Sequence, residues 1–390
     1  MSDKHEVSYA GIYIHVPFCK SRCIYCGFYS TVGMSLRQRY VDALCEEMRL
    51  RGVVRPLTVY LGGGTPSQLS ASQLHQLFDS MEEVFGPGWQ NNDGRPIEIT
   101  MECNPDDMDE AFASIVNELP VNRVSLGVQT FDDARLRFLR RRHTAAQAIN
   151  AVKCLRATGI ANISIDLMFG FPNQTLNEWK HDIETALTLN VEHLSAYSLM
   201  YEEGTPLYQM LTKGEVAETD DELYIKMYDT MVEILQENGY QHYEISNFCR
   251  KRMHSRHNSL YWSDKPYIGL GASAHSYDKK KRQWNVADVE QYISAISQGR
   301  IPSEGEFIDQ QTHYNDMITT RLRTCEGIDL TWMKSVFGTE MYDYLLHNAR
   351  PMIDRGLLKN DAGHLHLTID GIHVSDMVMG ELVKISEQSE

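Results

Sequence analysis

No stretch of the 390 residues approaches the ~18 consecutive apolar positions of a membrane-spanning helix. Positive charge is also short. The 37 Lys and Arg against 53 Asp and Glu leave a formal net charge of −16, which argues against a nucleic-acid binder, whose affinity comes from neutralised phosphates. Eight cysteines are too few for a disulfide scaffold. There is no internal repeat, no low-complexity tract and no Pro/Gly/Ser-rich linker. Residues 1–10 lack the basic and apolar regions of a secretory leader, so a cytoplasmic protein is expected. What is present is 42% hydrophobic and 23% charged, enough for a sizeable core. The length exceeds an ordinary single domain, so a large catalytic unit with an appendage is expected. Three of the sparse cysteines nevertheless crowd into one loop: Cys19, Cys23 and Cys26.

From residue 11 to about 200, short β-rich runs alternate with amphipathic segments. The expected strands are 11–16, 57–61, 97–102, 123–128, 162–167 and 193–199. Ser35 with Gln38, Ser70 with Gln73 and Thr175 with Glu178 have the spacing of helix capping boxes. Behind Ser70, the side chains of Leu74, Leu77, Phe78 and Met81 share a helical face; behind Thr175, those of Trp179, Ile183, Ala186 and Leu187 do so. Six βα units in series imply an α/β fold with a parallel sheet, as an open sheet or an incomplete barrel. Beyond residue 200 the rhythm changes. One long helix is expected at 220–238, then a tyrosine-rich, strand-like run at 240–245 and a basic, aromatic segment at 254–262. From about residue 310 the order is helix, helix, strand and a last helix near Ser375, like a small α+β winged-helix module. The acidic balance favours a structural role for it over DNA binding. The expected organisation is a partial barrel over 1–205, a helical and aromatic extension over 206–305, and the winged-helix-like unit over 306–390.

The cysteine spacing is C-x3-C-x2-C, directly after the first strand. Three thiolates on one loop suit three irons of a [4Fe–4S] cluster and leave the fourth iron open to a chelating molecule. A zinc site short of one ligand, or reduced structural thiols, are the plainer alternatives; zinc usually takes four ligands in paired C-x2-C spacing. Cys45, Cys103, Cys154, Cys249 and Cys325 are dispersed and read as core or surface thiols.

Tyr13-Ile-His15-Val-Pro17-Phe18-Cys19 together with this spacing resembles the signature of radical S-adenosylmethionine (SAM) enzymes. More narrowly, it resembles the branch of oxygen-independent coproporphyrinogen dehydrogenases and HemW-type haem chaperones. The resemblance implies a partial (β/α)6 TIM-like barrel and a [4Fe–4S] cluster on Cys19, Cys23 and Cys26. It also implies SAM chelating the open iron and its reductive cleavage to a 5′-deoxyadenosyl radical. Barrel function concentrates at the C-terminal ends of strands. Gly62-Gly63-Gly64-Thr65-Pro66 follows the second expected strand, Glu102 ends the third, Gln129 follows the fourth and Asp166 lies at the end of the fifth. By the family pattern Gly63, Gly64 and Thr65 meet the amino end of SAM, Tyr13 and Tyr25 lie around it, and Glu102, Gln129, Arg141 and Asp166 bind it. Gly269-Leu-Gly271-Ala-Ser-Ala274 mimics a dinucleotide fingerprint but lies outside the βα series, so a turn is expected there. The basic runs 250–252 and 279–282 read as solvated loops.

Two features separate members of the branch. Coproporphyrinogen dehydrogenases carry a fourth cysteine, C-x3-C-x2-C-x-C, where this sequence has Phe28, and they have a longer N-terminal extension. His257-Asn258-Ser-Leu-Tyr261-Trp262 is similar to the H-N-x-x-Y-W haem-binding signature of HemW-type chaperones. Neutral imidazole suits iron, and aromatic rings pack on a porphyrin face. His257 is therefore the expected haem ligand, with His254 a weaker second choice. The resemblance implies a haem carrier serving acceptor haem proteins, membrane-bound acceptors included, rather than a radical decarboxylase of porphyrinogen propionates.

Overall fold

The structure, a computed structural model, describes residues 9–52 and 54–385. Residues 1–8, on which most of the leader expectation rests, lie outside the described residues. Six parallel strands form the centre: β1 (Tyr9–Val16), β2 (Arg55–Gly63), β3 (Glu98–Cys103), β4 (Arg123–Gln129), β5 (Asn162–Phe169) and β6 (His193–Ser198). They pair in chain order, each parallel to the next. Each expected strand falls on one of them, and only Ile97 and Leu199 lie outside. Their near-continuous burial, as in the run Asn162–Phe169, is what a parallel sheet covered on both faces requires.

The helices Arg37–Arg51, Ala71–Phe85, Glu110–Glu118, Ala145–Thr158 and Leu176–Thr188 connect these strands. Ser70/Gln73 and Thr175/Glu178 form reciprocal capping boxes, and the faces behind them are buried, with Leu187 half-buried. The box expected at Ser35 does not form. A 3-10 turn, Met34–Leu36, precedes a helix that starts at Arg37, and the Gln38 amide donates to Asp42 and Gln76 instead of reaching back. Thr144 and Gln147 make a box that the sequence reading passed over.

The sheet does not close. Beyond β1, Tyr267–Leu270 adds a parallel strand, followed by antiparallel His275–Tyr277, Lys281–Asn285 and Ser303–Phe307. Beyond β6 lie antiparallel Asn247–Cys249 and Gln241–Glu244, completing a twelve-stranded sheet. The stretch 206–307 thus adds six short strands to the central sheet, the last of them crossing the expected boundary at 305, alongside the expected long helix, Asp221–Glu237. Gly271 sits in the turn after Tyr267–Leu270, as expected, with its N–H donated to Glu47. Of the basic runs, Arg250 stacks over Tyr240 and Arg282 pairs with Glu306 and Asp316.

The C-terminal part has its own core around Tyr314, Phe337, Leu345 and Leu365. Helices Gln310–Arg321, Leu330–Asp354 and Ser375–Leu382 pack on a three-stranded antiparallel sheet, the helix-and-wing arrangement read from the sequence. Among the described residues, no helix is long and apolar enough to cross a membrane.

Candidate radical SAM site

The cysteine loop leaves β1 at Val16 and is pinned at both ends. Thr31 donates its N–H to Pro17 O at 2.7 Å, and Cys19 donates to Thr31 O at 2.9 Å. Midway, Ile24 is buried among Leu139, Met168, Phe171, Leu199 and Leu207, and its N–H reaches Leu139 O. Lys20 pairs with Asp107 at 3.0 Å. The loop is thereby held over the C-terminal rim of the strands. Cys19, Cys23 and Cys26 are free, half-buried thiols facing one cavity of about 410 Å³, within the usual range for small-molecule sites.

The same cavity is lined by Tyr25, Gly63, Gly64, Thr65, Glu102, Gln129, Arg141 and Asp166, so the structure brings together every expected SAM contact except Tyr13. Tyr13 stacks beneath cavity-lining Tyr60, with centroids 6.2 Å apart, and its hydroxyl meets His15 Nδ1 at 3.0 Å. The glycine turn is a backbone shelf. Gly63 has φ 107°, and a Cβ on Gly64 would stand 2.6 Å from the Pro17 carbonyl carbon, so a side chain at either position requires the shelf to move. Thr65 Oγ1 lies 3.6 Å from Cys19 Sγ and accepts from Asn104 Nδ2 at 3.2 Å. Arg141 donates to Asn104 Oδ1 at 2.8 Å and to the Gly127 carbonyl, with Nη1 3.7 Å from Cys23 Sγ.

Glu102 accepts from the Tyr60 hydroxyl at 2.7 Å and from the Gly63 N–H at 3.1 Å. Burial outweighs these bonds and raises its pKa from 4.5 to about 7; burial also raises Asp166. A carboxyl raised on folding favours the fold most below its unfolded value, and that contribution is lost as the pH climbs through the folded value. Thermal stability of the cofactor-free protein should therefore fall between about pH 4.5 and 7. In Glu102→Gln that fall should shrink, and the variant should melt higher than wild type at pH 8. Parallel melting curves for the two proteins across this range would contradict the assignment.

The segment His257–Trp262 lies elsewhere. Its short helix, Arg256–Tyr261, is capped by Ser255, and the N–H groups of Arg256 and His257 are accepted by Glu98, the first residue of β3, at 2.8 and 2.9 Å. The helix therefore closes the N-terminal end of the barrel, opposite the cysteine loop. His257 is buried, with Nδ1 2.8 Å from Thr58 Oγ1 and Nε2 2.9 Å from the Tyr261 hydroxyl. Its ring stacks on Tyr60 at 5.0 Å. Burial, helped by the charge of Arg123, lowers its pKa to about 3 and keeps the imidazole neutral. Asn258, next in sequence, lines the cavity floor, whereas His257 stands behind the wall. Tyr261 packs edge-on against Tyr267 in the interior, and His254 is exposed beside Tyr243.

Sequence reasoning passed over Tyr60, Asn104, Arg123, Ser125, Ser195 and Tyr197, all of which line the cavity. The signal was present. Arg123, Ser125 and Gly127, and likewise Ser195 and Tyr197, are non-aliphatic residues at alternate positions of otherwise apolar strands, marking an inward face.

A partial parallel barrel carrying a three-cysteine loop at its C-terminal rim defines a radical SAM protein, and the Radical SAM superfamily profile matches residues 13–186. The HemN C-terminal domain profile matches residues 308–374. A Bacillus subtilis protein named heme chaperone HemW is 34% identical over 374 residues, covering 94% of this chain and 97% of its own length. A Lactococcus lactis protein of the same name is 32% identical, covering 94% and 95%. Mouse mitochondrial radical S-adenosyl methionine domain-containing protein 1 is 34% identical over 68% of this chain and 60% of its own. The fold matches coproporphyrinogen III oxidase (HemN) from Escherichia coli, with a TM-score of 0.82 over 98% of this chain and 92% of that one, at 20% identity. The chain belongs to the HemW family within the radical SAM superfamily.

Superfamily membership implies an iron–sulfur cluster and SAM, and the residues fit both. Among the described residues no three His, Cys, Asp or Glu side chains converge closely enough to share one ion, unlike a mononuclear zinc site. A cubane instead takes one thiolate on each of several irons. The shelf at Gly63 and Gly64 leaves backbone open to a ligand beside Cys19, and Glu102 and Asp166 face the same space.

Proposed function

We propose that this chain is a cytoplasmic haem chaperone that binds haem and passes it to acceptor haem proteins, membrane-bound acceptors among them. Cys19, Cys23 and Cys26 hold the [4Fe–4S] cluster. SAM lies on Gly63, Gly64 and Thr65, against Tyr25, Glu102, Gln129, Arg141 and Asp166, with Tyr13 bracing Tyr60 beneath. When bound, the two cofactors supply one-electron reductive chemistry. The chain's own groups exclude water, fix the ligand's charged ends and keep Arg141 beside Cys23.

Phe28 carries the reading. It occupies the position of the dehydrogenases' additional cysteine and is 70% exposed at the cavity mouth. Exposed Met200, Arg22 and Arg140 stand around the same mouth, together with Arg142, whose guanidinium is paired with Asp106 and Asp107. An apolar lip flanked by arginines suits a macrocycle with a greasy face and carboxylate edges. The names of the full-length relatives support the same reading. His257 is the proposed iron ligand, a neutral imidazole at the opposite end of the barrel from this lip, so its ligation of haem requires the Nε2 bond to the Tyr261 hydroxyl to break and the helix Arg256–Tyr261 to open. Likeness in fold to a coproporphyrinogen oxidase favours a second reading, radical decarboxylation of porphyrinogen propionates, with the same cavity as reaction chamber.

Haem titration followed by absorbance tests the lip. Phe28→Asp should weaken haem binding about tenfold, the loss expected from one buried aromatic contact. An unchanged affinity in that variant would remove Phe28 from the haem site.

A further inference from the structure

The cavity continues below the expected SAM contacts to a floor that neither cofactor explains. Arg123, the first residue of β4, lines it while only 1% exposed. Its Nε and Nη1 have no hydrogen-bond partner among the described residues. Buried guanidinium groups are normally paired. Here the nearby acids are committed elsewhere: Glu102 to Tyr60 and Gly63, Asp166 to Ser125. Burial pushes both carboxyls up, and the charge of Arg123 offsets this only in part; neither forms an ion pair with it among the described residues. Ser125, Ser195, Tyr197 and Asn258 line the same cavity with neutral polar groups. Thr100, the register partner of Arg123 on β3, has a buried hydroxyl without a partner among the described residues.

We infer that the barrel floor is a carboxylate subsite in which Arg123 receives the anionic end of a ligand, with Asn258 and Ser125 as neutral hydrogen-bonding neighbours. A planar fork of N–H donors matches a carboxylate's two oxygens. The enclosed, water-poor setting strengthens that pairing relative to the surface. The carboxylate belongs either to a porphyrin propionate or to a free small organic acid, and the subsite does not depend on the haem reading.

Isothermal titration of the anaerobically reconstituted protein with sodium propionate tests it. Saturable binding is expected in wild type. Arg123→Met should weaken it at least about tenfold while melting no lower, because an unpaired buried charge has been exchanged for an apolar chain. Asn258→Asp, which sets a second carboxylate in the floor, should expel propionate as well. Haem and its dimethyl ester separate the sources. If wild type prefers haem about tenfold and Arg123→Met does not discriminate, the carboxylate is a porphyrin propionate; if Arg123→Met loses propionate but binds haem as before, it is a free acid. Absence of propionate binding in wild type, or equal binding in Arg123→Met, would show only a hydrated guanidinium and overturn the subsite. A lower melting temperature in Arg123→Met together with unaltered propionate binding in Asn258→Asp would make Arg123 structural and overturn it too.

Discussion

Cys23→Ala, reconstituted with iron and sulfide under anoxia, loses essentially all of the broad iron–sulfur absorbance seen in wild type. Cys19→Ala and Cys26→Ala do the same. The three thiols sit on one loop pinned by Thr31, Ile24 and Lys20, so removing one leaves a site of two ligands that the scaffold cannot replace. Of the five other cysteines, Cys45, Cys154 and Cys249 are buried and Cys325 does not line the cavity, while Cys103, which does line it, is buried at the end of β3 and not on the loop. Burial pushes the Cys19 and Cys26 thiols up, so without metal they stay protonated, and loading releases protons. Retention of the absorbance in all three variants would contradict the cluster assignment.

His257→Ala should weaken haem binding at least about tenfold and alter the haem spectrum, an effect on the scale of losing an axial ligand. The substitution also strands Thr58 Oγ1 and the Tyr261 hydroxyl, both bonded to the ring. A stability loss of about 2–4 kcal/mol is therefore expected with it. Added imidazole separates the two effects: it restores the spectrum if ligation was lost. An unchanged affinity and spectrum in the variant would remove His257 as the ligand. The starting geometry makes this a demanding test, because both ring nitrogens are engaged and the ring lies behind the cavity wall.

The position of His257 marks where the sequence stopped being informative. The H-N-x-x-Y-W string says which residues share a short helix, not which end of a barrel that helix closes. Its seating depends on Glu98 and Thr58, distant by about 160 and 200 residues. The six parallel strands were legible because strands buried on both faces read as apolar runs between helical periods. Of the strands between 241 and 307 only the first was read, as the strand-like run 240–245; the others are three to five residues long and stabilised by pairing with a sheet already formed. Glu102 and Gln129 followed from their places at strand ends; Asp166 was expected at one too, but β5 runs on to Phe169 and places it in mid-strand. Tyr60, Arg123 and Ser125 face inward from mid-strand or the strand start, where only period-two alternation betrays them. Ser35 had the spacing of a cap, but Gln38 found better partners in Asp42 and Gln76.

The central claim, that this radical SAM fold carries haem rather than making it, is tested most directly by one assay. The reconstituted protein is supplied with coproporphyrinogen III, SAM and a low-potential reductant under strict anoxia, and carbon dioxide and vinyl-bearing products are measured. With Phe28 in place of a further cysteine, the expected result is no decarboxylation above the protein-free control, from a preparation that still binds haem. Turnover to the divinyl product would contradict the account and make the cavity a reaction chamber.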